Sequence, residues 1–306
     1  MSGSKDAAQL GVNDHTQGVA PKNTYGTQAL ADFLTVIGSG VADLNTIAVG
    51  LAAIGPDHIK PEGLNVSWSP SDPVTAARKA RKAAVHAAMV VAVEALSQYV
   101  RAIIKLPRFE KLNEEWRLRR PTPSAAERFS ELTKMLLSSP PQGRTPSEVD
   151  FRYRTCCVLL LIHWRNRHVH TDSNAELTHQ EKQLIHSQDK YIREAYAGLD
   201  VDQLFGDFKK NRPTLKDATT LIAMAIQEVR AMDEAVFACQ DAADLNAWLD
   251  HYELTDRIKI IQRDTKPERQ RASILRMLHT HAPYLKPWYE KYHPEPQASS
   301  GEASLA

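Results

Sequence analysis

Eight consecutive residues, His163-Trp164-Arg165-Asn166-Arg167-His168-Val169-His170, gather the side chains best able to move protons and hold an anion. Histidine titrates near neutrality and can act as a general base or acid. A guanidinium is planar, always charged and matched to phosphate. Together they suit reaction at a phosphodiester, where a hydroxyl loses its proton while charge builds on the phosphoryl oxygens. Asn166 and His170 are four apart and share a helix face, so the carboxamide could orient the imidazole. Arg165 and His170 are five apart, about 140° around a helix, and meet only if the helix frays or a second copy completes the site. Two plainer readings compete. Arg165, Arg167, His168 and His170 could simply complement the dipole at a helix C-terminus. His163, His168, His170 and Asp172 could ligate a metal, although the chain has no HExxH and no pair of histidines four apart.

Arg165-Asn166-x-x-x-His170 resembles the R-x(4–6)-H motif of the HEPN superfamily, a group of small all-helical domains that includes many metal-independent endoribonucleases. Arg81–His86 and Arg276–His281 also satisfy the looser pattern. The stricter pattern RNxxxH, with asparagine directly after arginine and the spacing fixed, lowers the chance expectation from about 2.5 matches to about 0.02, and only Arg165–His170 passes. The resemblance implies an RNA substrate cut by its own 2′-hydroxyl, with His170 as base or acid and Arg165 as phosphate clamp. It implies no cofactor, a homodimer with the two motifs facing across a cleft, and a toxin or antiviral setting restrained or triggered by another protein. Glu94, alone in an apolar stretch, is the candidate for the supporting polar residue that some family members carry on an earlier helix. His163, Trp164, Arg167 and His168 beside the motif, with Arg78 and Arg81, are the expected RNA contacts; Trp164 reads most simply as a core or rim aromatic, with stacking on a base as the alternative. A variant motif, RNxxxHxY, places a regulatory tyrosine where this chain has Asp172, so that regulation is not expected. A catalytically silent helical module that binds nucleotide, RNA or a partner protein is the alternative.

The elements that must carry these residues read as helices throughout. Apolar residues recur at three- and four-residue steps from Thr27 to Ile54, with a kink expected at Gly38 and Gly40. An Ala-rich helix follows from Pro73 to Lys105, opening on Arg78, Lys79, Arg81 and Lys82. A third spans Ser124 to Leu137, with Ser124 and Glu127 as a capping box. Thr145, Pro146 and Glu148 announce a fourth, whose stretch from Cys156 to Ile162 is apolar on every face and so belongs at the centre of a bundle. Ser173 and Glu176 open a fifth helix to Ala197, stopped by Gly198; another runs from Pro213 to Gln240, and shorter pieces fill 241–291. The expected organisation is a tail at 1–26, a HEPN-like bundle at 27–198, further helices of unassigned role at 199–292 and a tail at 293–306. The fold class is all-α.

Composition narrows the classes. The 306 residues hold 38 Lys and Arg against 37 Asp and Glu, so no polybasic coat or acidic tail dominates. Charge is nevertheless polarised: residues 78–120 carry a balance of +7, residues 199–254 of −6 and residues 255–292 of +5. A basic surface beside an acidic one suits an oriented polyanion. The three cysteines form no CxxC, and Cys156 and Cys157 read as small core residues. No secretory signal pattern opens the chain, and the longest apolar run of its second half, Cys156 to Ile162, is far short of the roughly 18 residues a spanning helix needs. A cytoplasmic protein without membrane contact is expected. P-loop, dinucleotide, nucleophile-elbow and kinase signatures do not occur.

Overall fold

Local capping sets where the helices begin. Thr27 accepts the Leu30 N–H to open α1 (Gln28–Ala52), and Asp72 accepts from Thr75 to open α2 (Pro73–Ile103), with Pro73 in the first turn. The computed structural model describes residues 26–137, 148–170, 172–239 and 241–294, and every regular element among them is helical. After α2 come α3 (Glu110–Leu118), α4 (Ala125–Leu137), α5 (Glu148–Val169), α6 (His179–His186) and α7 (Asp189–Ala195). Then follow α8 (Val201–Lys209), α9 (Leu215–Val236), α10 (Ala242–His251), α11 (Thr255–Asp264), α12 (Pro267–His281) and α13 (Lys286–Tyr292). The all-α expectation is met. Both chain ends, and the Thr145–Pro146 start expected for the fourth helix, lie outside the described residues.

Two boundaries differ from the sequence reading. The expected helix from Ser173 to Ala197 is two helices, and it starts later because Thr178 and Glu181 form the reciprocal capping box there. Ser173 instead closes a turn, its N–H donating to the His170 carbonyl. α3 was not foreseen at all. Its nine residues bury chiefly Trp116, too few apolar positions to set a period. By contrast, Ser124 and Glu127 exchange the two bonds expected of them at the start of α4. α1 continues unbroken through Gly38 and Gly40, and at Gly40 the missing side chain lets the helix approach Val91 of α2 closely.

α2, α5 and α9 form the centre. Cys156 to Ile162 of α5 are all buried, as their all-round apolarity demanded. α5 packs against α9, α6, α4 and α2, while α1 lies along α2 and touches α9. Since α9 follows residue 198, the bundle core draws on both sides of that position. Two buried carboxylates of α9 fix its register. Glu228 accepts from Arg154 Nε (3.2 Å) and Thr155 Oγ1 (2.5 Å) of α5. Asp233 accepts from the Thr27 N–H (2.8 Å) at the α1 cap and from Tyr99 Oη (3.2 Å) of α2. Burial raises both carboxyl pKa values, Glu228 to about 7. The C-terminal helices gather round Trp248, Phe237 and Tyr284, and Arg108 Nη1 ties them in by donating to the carbonyls of Ala235 and Ala238.

α1 and α2 are each long and apolar enough to cross a membrane, by length and composition. The expectation of no spanning helix rested on uninterrupted apolar runs, a stricter test than mean hydropathy over a window. In α2, eleven side chains from Ala77 to Ile103 belong to the bundle core. The exposed side of α1 carries Val36, Ile47 and Val49.

Candidate functional site

The end of α5 delivers the motif. Because Cys156 to Ile162 must be buried, the polar residues after them emerge where the helix leaves the core. Arg165 and Asn166 are half-buried at that edge, and His168, Val169 and His170 are exposed. Arg165 Nη1 donates to Asn166 Oδ1 at 3.1 Å, so the carboxamide holds the guanidinium rather than the imidazole of His170. Arg165 Nε is buried without a partner among the described residues.

Arg165 and Glu94 line one cleft of about 240 Å³ between α2, α4 and α5, together with Ser97, Arg101 and Arg128. Glu94 is therefore close to Arg165 of the motif. Its carboxylate accepts from Arg101 Nη2 at 2.7 Å. The signal for Glu94 was a single charge in an apolar stretch. Nothing local in the sequence marked Arg101 and Arg128 as its neighbours.

His170 stays apart from Arg165 within one chain. Its N–H still donates to the Asn166 carbonyl at 2.8 Å, so the helical ladder runs to the end of the motif without fraying. The angular separation of about 140° is kept, and the two side chains leave the helix on different flanks.

The other expected contacts divide into inner and outer groups. Trp164 is wholly buried and meets Phe208 edge-to-face at 5.5 Å, so its ring has no face open to a base. The core reading of Trp164 holds and the stacking alternative does not; position 164 points into the core because it follows the inward face of 157, 160 and 161. His163 is half-buried with Nδ1 unpartnered, and burial lowers its pKa, favouring the neutral ring. Arg167 lies over the Phe208 ring at 4.7 Å and donates to the Phe208 carbonyl at 3.3 Å, which engages it in packing. His168 stacks on His86 of α2, with ring centroids 3.7 Å apart and planes 11° from parallel. Desolvation, then the neighbouring His168, pushes His86 down to about 4. Arg78 is exposed and Arg81 half-buried on the same helix, N-terminal to His86. The third looser match is engaged elsewhere: His281 Nε2 lies 3.0 Å from Arg257 Nη1.

The sequence reading missed a second concavity. Beside the Glu94–Arg165 cleft, a cavity of about 610 Å³ opens between the C-terminal end of α2, α3, the following loop and α4. Arg101 and Arg128 line both spaces. The only sequence signal was the excess of positive charge between residues 78 and 120. The described residues hold no group of three or more His, Cys, Asp or Glu placed to bind a metal ion. The three cysteines are buried and reduced, with Cys156 and Cys239 pushed up to about 12 by burial, which suits packing rather than nucleophilic attack.

In comparisons with known proteins, no family model, no curated protein and no solved structure matches this chain.

Proposed function

We propose that this protein is a metal-independent endoribonuclease of HEPN type whose reacting groups are completed when two copies pair. The observation that carries the reading is the meeting of Glu94 and Arg165 in one cleft flanked by Arg101 and Arg128, with Asn166 accepting from the Arg165 guanidinium. Arg165 clamps the scissile phosphate, Asn166 positions its guanidinium, and Glu94 holds Arg101 across the same cleft. His170 of one copy faces Arg165 of the other, which removes the 140° separation inside each chain. The imidazole takes the 2′-hydroxyl proton as O2′ bonds to phosphorus. The P–O5′ bond breaks and O5′ gains a proton, leaving a 2′,3′-cyclic phosphate and a 5′-hydroxyl. Arg78, Arg81 and His168 hold the RNA beyond the reacting phosphate. The setting that follows from the resemblance is a cytoplasmic toxin or antiviral effector, held in check or triggered by another protein.

Purified protein incubated with total RNA in EDTA tests this directly. Cleavage should leave cyclic-phosphate ends, and Arg165→Ala and His170→Ala should each lower the rate by at least about 100-fold, the usual worth of a positioned acid–base group. Light scattering should give the mass of a dimer. If either variant cuts at the wild-type rate, the assigned roles are wrong.

A second reading is favoured by the unfrayed α5 ladder, which keeps Arg165 and His170 apart. In it the same surface binds RNA, a nucleotide or a partner protein without cutting. RNA affinity that falls steeply with salt, with no product, would select it.

A further inference from the structure

The cavity beside the motif carries an inference that stands whether or not the protein cuts RNA. Among the described residues its wall holds five cations, Arg101, Lys105, Arg117, Arg120 and Arg128, and no carboxylate. Asn113 and Thr122 add neutral polar groups, and Ile104 and Trp116 form its apolar floor. Some of the positive charge is answered from outside. Arg101 pairs with Glu94, Arg117 pairs with Glu114, and Arg120 donates to the Arg117 and Arg119 carbonyls. Glu131 is engaged by Arg119 and Trp116 Nε1. Lys105 and Arg128 have no ion pair among the described residues. Arg128 is half-buried, its guanidinium 5.9 Å from the Trp116 ring centre, and its Nε is buried without an acceptor.

The cations left without an ion pair, Lys105 and Arg128, face a concavity with no carboxylate among its described lining residues, and an anion placed between them is attracted by both. Guanidinium groups present paired N–H donors that match phosphate oxygens, and a lysine adds a movable point charge. A cavity of about 610 Å³ is of the size that encloses a small ligand. We propose that this cavity binds a di- or triphosphate group, with Lys105 and Arg128 as its principal contacts. Either a free nucleoside polyphosphate or the 5′-triphosphate end of an RNA carries that group. Arg101 is shared with the Glu94–Arg165 cleft, so a bound phosphate competes with Glu94 for it.

Titration calorimetry of the full chain with sodium tripolyphosphate, at about 150 mM salt and neutral pH, tests the proposal. One equivalent should bind, and Lys105→Gln and Arg128→Gln should each weaken binding at least tenfold, two lost charge-assisted contacts being read separately. Arg269→Gln, on the exposed surface of α12, should leave it unchanged. Lys105 is exposed, so its variant tests the site even if Arg128→Gln fails to fold, which circular dichroism will show. No binding at 1 mM tripolyphosphate to wild type would overturn the proposal. So would affinity unmoved by both cavity variants, or lowered equally by Arg269→Gln. A second arm compares ATP with one RNA bearing a 5′-triphosphate or a 5′-hydroxyl. Tighter binding of the triphosphorylated RNA than of ATP identifies the RNA end. Equal binding of both RNAs, with ATP matching tripolyphosphate, identifies the free nucleotide.

Discussion

Two arginines held away from bulk water are treated oppositely in this molecule. Arg154, only 11% exposed, crosses from α5 to α9 and meets Glu228, which is fully buried, with Thr155 taking the second carboxylate oxygen. Arg128, on α4 at the mouth of the cationic cavity, meets an aromatic ring and no carboxylate among the described residues. The first arrangement is internally complete and locks the register of two helices. The second leaves positive charge at an edge where something from outside can answer it. In the core, a charge persists only when the chain itself supplies the partner, because desolvating an unpaired ion is too costly to survive folding. An arginine at a rim escapes that requirement through water, and can therefore be kept for a ligand.

The largest expected effect would break the comparison most cleanly. Arg154→Ala should cost about 3–5 kcal/mol in urea unfolding, because it strands a buried carboxylate. Arg128→Gln should cost under about 1 kcal/mol, since no ion pair is lost. Equal losses at the two positions would mean that Arg128 is structural after all.

The pH dependence sharpens the same contrast, with opposite signs at two sites. Burial raises Glu228 from 4.5 to about 7 in the folded state. The folded chain then binds more protons than the unfolded one in that window, so this group's contribution is greatest below pH 4.5 and is lost as pH rises through 7. His86 is lowered from 6.5 to about 4. There the unfolded chain binds more protons, so stability is present above pH 6.5 and is lost as pH falls towards 4. The stability difference between wild type and Glu228→Gln should therefore shrink from pH 5 to pH 7, by an amount on the order of 2 kcal/mol. The difference between wild type and His86→Asn should grow over the same range by about 1 kcal/mol, the half-exposed ring being partly screened. Unfolding midpoints at several pH values will show whether the two slopes oppose.

The smallest effect concerns the pair that borders the motif. Glu94 and Arg101 are each about half exposed, at 49% and 52% of the side chain. A double-mutant cycle should find only about 0.2–1 kcal/mol between them, as for other solvated ion pairs. A larger coupling would make the pair a structural brace and remove Arg101 from competition for phosphate.

Much of the helical framework was legible in the sequence. Caps and periods are local: the Ser124–Glu127 box acts within four residues of itself and is found where the sequence puts it, and the helices expected from Thr27 and Pro73 open there on caps from Thr27 and Asp72. The apolarity of Cys156 to Ile162 likewise announced the central helix, because no residue in that run could face water without loss. The sequence reading placed a capping box at Ser173–Glu176, whereas the structure forms a second one at Thr178–Glu181. The second box prevailed, and the segment after it divided into α6 and α7.

The site was legible only along one helix. Spacing put Asn166 and His170 on one face and Arg165 on another, and an unbroken α5 keeps them so. What spacing could not tell is which neighbour lies against each face. Residues 94, 101, 128 and 165 come from three helices, and their meeting follows from how α2, α4 and α5 cross rather than from any run of sequence. Trp164 and His168 differ by one helical turn, yet one is sealed in the core and the other stacks on His86 at the surface. By itself the sequence determined the all-helical class, the longer helices and the central place of the most apolar one, because hydrogen bonds, caps and periods act over a few residues. Only the tertiary structure decided which cations share a cavity and which carboxylates are buried with a partner, because those depend on contacts between segments far apart in the chain.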